Sequence, residues 1–237
     1  MDLAIAAGQN DSLISQLSFQ LPAVASYAKE RRLVSVMPQG ANTFSPNGNQ
    51  VLTFNLTNNG EGWLDPSSLR LSFRIVNTAP AGADAAANGR LGLRPASGCH
   101  CFFSQLRILI SGTEVERIEP YGMLHELFRV TLNTPQSQVE QAVEDGRMYA
   151  EELWPPVTTE RIGYGEYSTV TLTPLAGLLQ CGKYLPLRLM NSCILEFSLA
   201  RADDALAPAR AAVVPPAAEP AVANDSRSYE LSQCQLE

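Results

Sequence analysis

The sequence predicts an all-β fold, an antiparallel eight-stranded jelly-roll sandwich with one short helix and long loops. Three observations predict it. Apolar and polar residues alternate along several short stretches, most strictly from Leu69 to Val76, where Leu69, Leu71, Phe73 and Ile75 point one way and Arg70, Ser72 and Arg74 the other. Clusters of turn-forming residues separate those stretches. Hydrophobic residues make up 45% of the 237 positions and charged residues 17%, with 16 Gly and 16 Pro, which fits a core-forming, turn-rich chain and excludes a coiled coil or a disordered one.

In chain order, residues 1–40 read as an N-terminal arm. Within it Leu13, Ile14, Leu17, Leu21 and Val24 recur at roughly helical spacing behind the N-cap candidates Asp11 and Ser12, until Pro22 interrupts. An arm packing on a neighbour or on this domain is preferred over an amphipathic helix at residues 1–28 facing an internal shell or membrane. Lys29 to Arg32 reads as a solvated charged face.

Residues 41–200 form the jelly-roll core. Leu52, Phe54 and Leu56 alternate with Thr53 and Asn55, and Thr57 to Gly60 turns the chain. A second turn at Gly62, Asp65, Pro66, Ser67 and Ser68 leads into the Leu69 strand, with Trp63 expected to be buried at its start. Thr78 to Gly92 is a surface excursion. Leu106, Ile108 and Ile110 and the alternation from Glu114 to Ile118 make a hairpin with Ser111-Gly112 at its tip. A helical patch follows, with Met123, Leu124, Leu127, Phe128 and Val130 as the packed stripe and Glu126 and Arg129 outside.

Gln136 to Tyr167 reads as a long structured loop, of the kind that carries interfaces. Val170 and Leu172 mark a strand. Lys183 to Met190 reads as an irregular strand bent at Pro186, and Cys193, Leu195, Phe197 and Leu199 as a regular one. Residues 201–227 are an Ala/Pro-rich loop, and 228–237 are a final strand in position to lead into a second jelly roll.

Composition excludes several functions. Lys+Arg 17 against Asp+Glu 24 gives a formal charge of -7, the wrong sign for neutralising phosphates, so no direct nucleic-acid partner is expected. No apolar run is long enough to span a membrane, and the start lacks the positive region of a signal peptide, so the product is expected to be soluble and not secreted. Five cysteines, Cys99, Cys101, Cys181, Cys193 and Cys234, are then thiols, and sequons at Asn10, Asn55 and Asn224 are inert.

The triplet Cys99-His100-Cys101 is too tight for a zinc knuckle and has no second Cys/His pair, so no metal is expected there. For nucleophilic catalysis the only candidate bases are His100, in a loop, and His125, read as a hydrogen-bonded structural residue on the helix. Glu114 and Glu116 share one strand face and read as solvated rather than as a glycosidase pair. No phosphate loop occurs. No catalytic, cofactor-binding or metal-binding residue is assigned, and an enzyme is not expected.

The run from Gly62 to Asn77, followed by Leu93-Arg94-Pro95, Phe102-Phe103, Leu106 to Gly112, Val115-Glu116 and Tyr121, resembles the N-terminal part of double jelly-roll major capsid proteins of polinton-like viruses and related large DNA virus elements. The layout matches over about residues 25–237 and is specific between about 60 and 130. The resemblance implies the first of two jelly rolls, whose full-length relatives trimerise into pseudo-hexagonal capsomers. Only one barrel fits in this length, so the chain is either part of a two-barrel protein or a single-barrel relative that forms its own oligomer, as penton-type proteins do. The implied function is a viral structural protein of the virion capsid, made in the host cytoplasm or nucleus, that self-associates through the 136–167 loop and the 1–40 arm. The alternative is a carbohydrate- or ligand-binding β-sandwich with Trp63, Trp154 and Tyr164 stacking on sugar faces.

Overall fold

In the computed structural model, the described residues are 32–59, 62–78, 91–92, 98–132, 146–149, 157–159, 161–162, 165–206 and 228–237. The chain divides into two units, 1–33 and 34–237, and every strand among the described residues lies in the second. In order, the elements are β1 (Thr43–Phe44), β2 (Val51–Asn55), β3 (Leu71–Asn77), β4 (Leu91–Gly92), β5 (Phe103–Ile110), β6 (Thr113–Ile118), α1 (Tyr121–Leu132), β7 (Arg147–Tyr149), β8 (Val157–Thr159), β9 (Arg161–Ile162), β10 (Tyr167–Leu172), β11 (Cys193–Leu199), α2 (Ala202–Ala205) and β12 (Tyr229–Leu236). The apolar stripe at 11–28, Trp154, Tyr164 and most of the 78–92, 136–167 and 201–222 segments lie outside the described residues.

Eight of these strands build two four-stranded antiparallel sheets, β1-β12-β3-β10 and β2-β11-β5-β6, with β4-β9 and β7-β8 as small extra pairs. Within the eight, the first strand pairs with the last (β1 with β12), the second with the seventh (β2 with β11), the third with the sixth (β3 with β10) and the fourth with the fifth (β5 with β6). This is one long antiparallel ribbon rolled up on itself, which is the jelly-roll topology. The all-β sandwich is as the alternation predicts.

The core is the inward half of each alternation. Leu71, Phe73 and Ile75 from β3 face Leu195 and Phe197 from β11 and Leu106 and Ile108 from β5, and all are almost fully buried. Phe103 crosses between the sheets, 5.4 Å edge to face from Phe73; within its own sheet it lies 5.1 Å from Phe197, which lies 6.3 Å from Phe54, and Phe102 lies 4.7 Å from Tyr229. Tyr229 donates its hydroxyl to the Ala200 carbonyl at 2.6 Å, so its one polar atom is satisfied inside the core. In β12 the pairing with β3 shifts between Ser232 and Gln235. Gln233 takes a positive φ of 48° there, and the extra residue returns Cys234 and Leu236 to the inward face.

Local chemistry explains the turns. At the β5–β6 tip both Ser111 (φ 52°) and Gly112 (φ 80°) are left-handed, the pattern of the tight hairpin turn that suits right-twisted strands. Before β3, Asp65 accepts from the Ser67 amide and hydroxyl and caps a 3-10 turn at Pro66–Ser68, so the strand begins at Leu71 instead of Leu69.

Three expectations are corrected. Lys183 to Met190 is not a strand: one isolated bridge joins Leu185 to Leu64, and a 3-10 turn follows at Leu187–Leu189, because Pro186 has no N–H to continue a ladder. Trp63 is 69% exposed, since Leu64 turns inward to pair with Leu185 and the alternation throws Trp63 out. Glu114 and Glu116 do not share a face, because the β5–β6 register shifts between Ile108 and Leu109 and sets Glu114 opposite Leu109 but Glu116 opposite buried Ile108. Glu114 then pairs with Arg107 at 2.7 Å, which also reaches Glu196 at 3.1 Å, on the outer face.

Glu116 instead accepts the Gly177 amide at 2.6 Å and the Leu178 amide at 2.9 Å, tying β6 to the turn that follows β10. Glu116→Gln keeps one acceptor and loses the charge, and is expected to cost about 1–2 kcal/mol. The check is the urea midpoint at constant m-value.

Candidate interaction surface and buried histidine pair

Helix α1 sits where the hairpin returns to the sandwich. Gly122 makes its close approach possible: a Cβ there would meet the His100 carbonyl oxygen at 3.1 Å and the Phe103 carbonyl oxygen at 3.2 Å. Tyr121, fully buried, meets Phe197 of β11 edge to face at 6.1 Å, its hydroxyl accepts the Leu175 amide at 3.0 Å, and burial raises its pKa above the ordinary phenol value. The helix is thereby fixed at its first turn.

The face that α1 turns inward is the reverse of the expected one. Tyr121, His125 and Arg129 recur one turn apart and point at the sandwich, while Met123, Leu127 and Val130 are 73%, 58% and 55% exposed. Phe128 and Leu132 add further exposed apolar surface. Both stripes have helical period, so the spacing fitted either face, and the choice fell to the groups that can be satisfied inside. Arg129 pairs with Glu126 one turn earlier, and the Arg129 Nε donates to Glu126 Oε2 at 2.9 Å.

His100 and His125 meet beneath this helix. His100 lies on a 3-10 turn at Cys99–Phe102 rather than in an open loop, and is buried. The two rings stack with centroids 4.6 Å apart at 17°. His100 Nε2 is 2.9 Å from Glu126 Oε2, and His125 Nε2 is 3.2 Å from the Thr173 carbonyl oxygen, which agrees with the structural reading of His125. Burial first, and then the neighbouring His100, lower the His125 pKa to about 4. Burial pulls the Glu126 carboxyl upward, but bonds from His100 and Arg129 outweigh it and hold the group at about 2. The sequence reading missed this cluster because its members are far apart in the chain. The one local signal was the second helical stripe of Tyr121, His125 and Arg129.

Among the described residues, no three His, Cys, Asp or Glu side chains are grouped to hold a metal. The Cys101 thiol donates to the Ala205 carbonyl at 3.1 Å instead. Burial pushes the Cys193 thiol up to about 11 and Cys234 up to about 12, which leaves both protonated and unreactive.

No family model and no curated protein matches the sequence. Solved structures do match the fold. The chain superposes on PBCV-1 VP54, as fitted into a reconstruction of the virophage Sputnik, with a TM-score of 0.50 and 12% identity. On a chain of the PBCV-1 virus capsid the TM-score is 0.51 and the identity 10%. Both alignments cover 92% of this chain. What the chain shares with these structures is the fold, one jelly roll of eight strands. This chain covers 43% and 44% of the two chains, so it spans less than half their length and supplies one rolled ribbon.

Proposed function

We propose that the chain is a viral capsid protein that acts by self-association into capsomers, and that it performs no covalent chemistry. The observation that carries this reading is the fold likeness to PBCV-1 capsid chains along 92% of the sequence. The uncovered apolar face of α1 supports it, because Met123, Leu127 and Val130 form an exposed stripe on a helix that buries Arg129 instead. Such a stripe is stabilised when a neighbouring subunit removes it from water. A homotrimer located in the virion is the assembly proposed, either from this roll alone or with a second roll of the same protein. Contacts by the 1–40 arm and the 136–167 loop, and an internal shell or membrane contact by residues 1–28, belong to the same proposal.

Light scattering coupled to size exclusion tests it. The wild type is expected at about three times its 25.7 kDa monomer mass, or as larger particles. Leu127→Glu combined with Val130→Glu is expected to give a folded monomer. A wild type that stays monomeric at high concentration sinks the proposal.

The exposure of Trp63 favours a second reading, a ligand-binding sandwich. Tyr184 flanks the Leu64–Leu185 bridge near it and is also exposed. Aromatic faces in such a position can stack on sugar rings. Binding of an oligosaccharide that Trp63→Ala removes, in a protein that does not assemble, would select this reading.

A further inference from the structure

The chain has 2 histidines, and the fold puts both in one contact. That contact joins α1 to the body of the sandwich, His125 coming from the helix and His100 from the 3-10 turn that leads into β5. The hydrogen bonds fix the tautomer. Thr173 presents a carbonyl oxygen, which can only accept, so the neutral His125 carries its proton on Nε2. Its Nδ1 is then a bare lone pair, buried and without a hydrogen-bond partner, and His100 Nδ1 is buried and unpartnered as well.

A proton added to His125 must go to that Nδ1. There it makes a buried N–H with no acceptor, stacked on a second imidazole. His100 presents its Nε2 to the Glu126 carboxylate at 2.9 Å, which holds that ring in place against the stack. The geometry therefore resists a proton on His125 as long as the two rings stay stacked. We propose that the stacked pair is an acid-sensitive latch, which holds α1 on the sandwich and releases it when acidification forces a proton onto His125.

The groups that face the stack come from each packed element. From α1 they are Tyr121, at 5.8 Å ring to ring, Glu126 and the Arg129 cation. From the 3-10 turn they are Cys99 and Cys101, whose thiols donate to the Thr171 and Ala205 carbonyls. The segment after β10 supplies the Thr173 carbonyl, α2, which packs on the 3-10 turn, carries the exposed Asp203 and Asp204, and Arg107 of β5 is held by Glu114 and Glu196 on the outer face. Glu126 favours protonation of His125 and Arg129 opposes it, so the balance is left to burial and to the other ring.

Acid acts in a defined window. The depressed His125 pKa of about 4 lies below the ordinary 6.5, so the released chain binds a proton that the docked helix refuses. Docking is at full strength above about 6.5 and weakens as the pH falls through 4. The Glu126 carboxyl, at about 2 against 4.5, adds its loss only at lower pH.

Amide hydrogen exchange on the full chain, corrected for the intrinsic pH effect, tests the latch. Between pH 7 and pH 4.5, protection of the α1 amides is expected to fall by roughly one to two orders of magnitude while β11 holds. His125→Gln is expected to flatten that dependence. The ring C–H titration of His125 in the wild type provides a reading that needs no variant, and is expected near 4. Titration of His125 near 6.5 overturns the latch, as does an α1 protection that does not change with pH or a His125→Gln protein that keeps the wild-type dependence.

Discussion

Phe103→Ala is expected to lower the stability of the sandwich by about 3–5 kcal/mol, the largest loss at any single position. Phe103 is 1% exposed at the start of β5, and its ring is the link between the two sheets. It touches Phe73 of one sheet edge to face and tilts against Phe197 of the other, within a chain of rings that runs from Phe54 to Tyr229 through Phe102. Truncation removes both contacts and leaves a void between backbones that cannot close, since each is pinned by its own ladder. Urea unfolding provides the check. A loss below about 1 kcal/mol would mean that the sheets close over the void, and would contradict the rigid-ladder argument.

Glu126→Ala is the second large effect, at about 3 kcal/mol. The Arg129 guanidinium is 5% exposed, and Glu126 gives it two carboxylate bonds within one helical turn. Removing that carboxylate leaves a buried cation whose desolvation is no longer offset by it, and also takes the acceptor from His100. Arg129→Met, which removes the cation and keeps the stem, is expected to cost less than Glu126→Ala. Thermal unfolding of the two variants side by side decides this, and the reverse order would refute the assignment of the pair as a compensated buried charge.

The sandwich was legible because sheet physics writes itself into short range. Leu71, Phe73 and Ile75 alternate because one face must be dry, and Ser111-Gly112 marks a turn because both positions need positive φ. What escaped was decided at long range or by single insertions. The stripes on α1 were both periodic, and period alone does not say which is inside. The bulge opposite Ile108 that separates Glu114 from Glu116 has no signature in the alternation. The histidine stack joins residues that only the docking of α1 brings together. Trp63 was misplaced because a large aromatic was read as core, whereas its neighbour Leu64 takes the inward position.

The position of β12 carries a consequence for how this barrel is made. It is the last of the eight strands to leave the ribosome, yet it lies inside its sheet, between β1 and β3. Until it arrives, one edge of β3 stays open along the strand that anchors half the core, and Phe44 has no Leu231 to pair with. Closure therefore waits for synthesis of the whole roll, and pairs its first strand with its last. The nascent sandwich is expected to fold slowly, and to present a sticky β edge to other chains until β12 is in place.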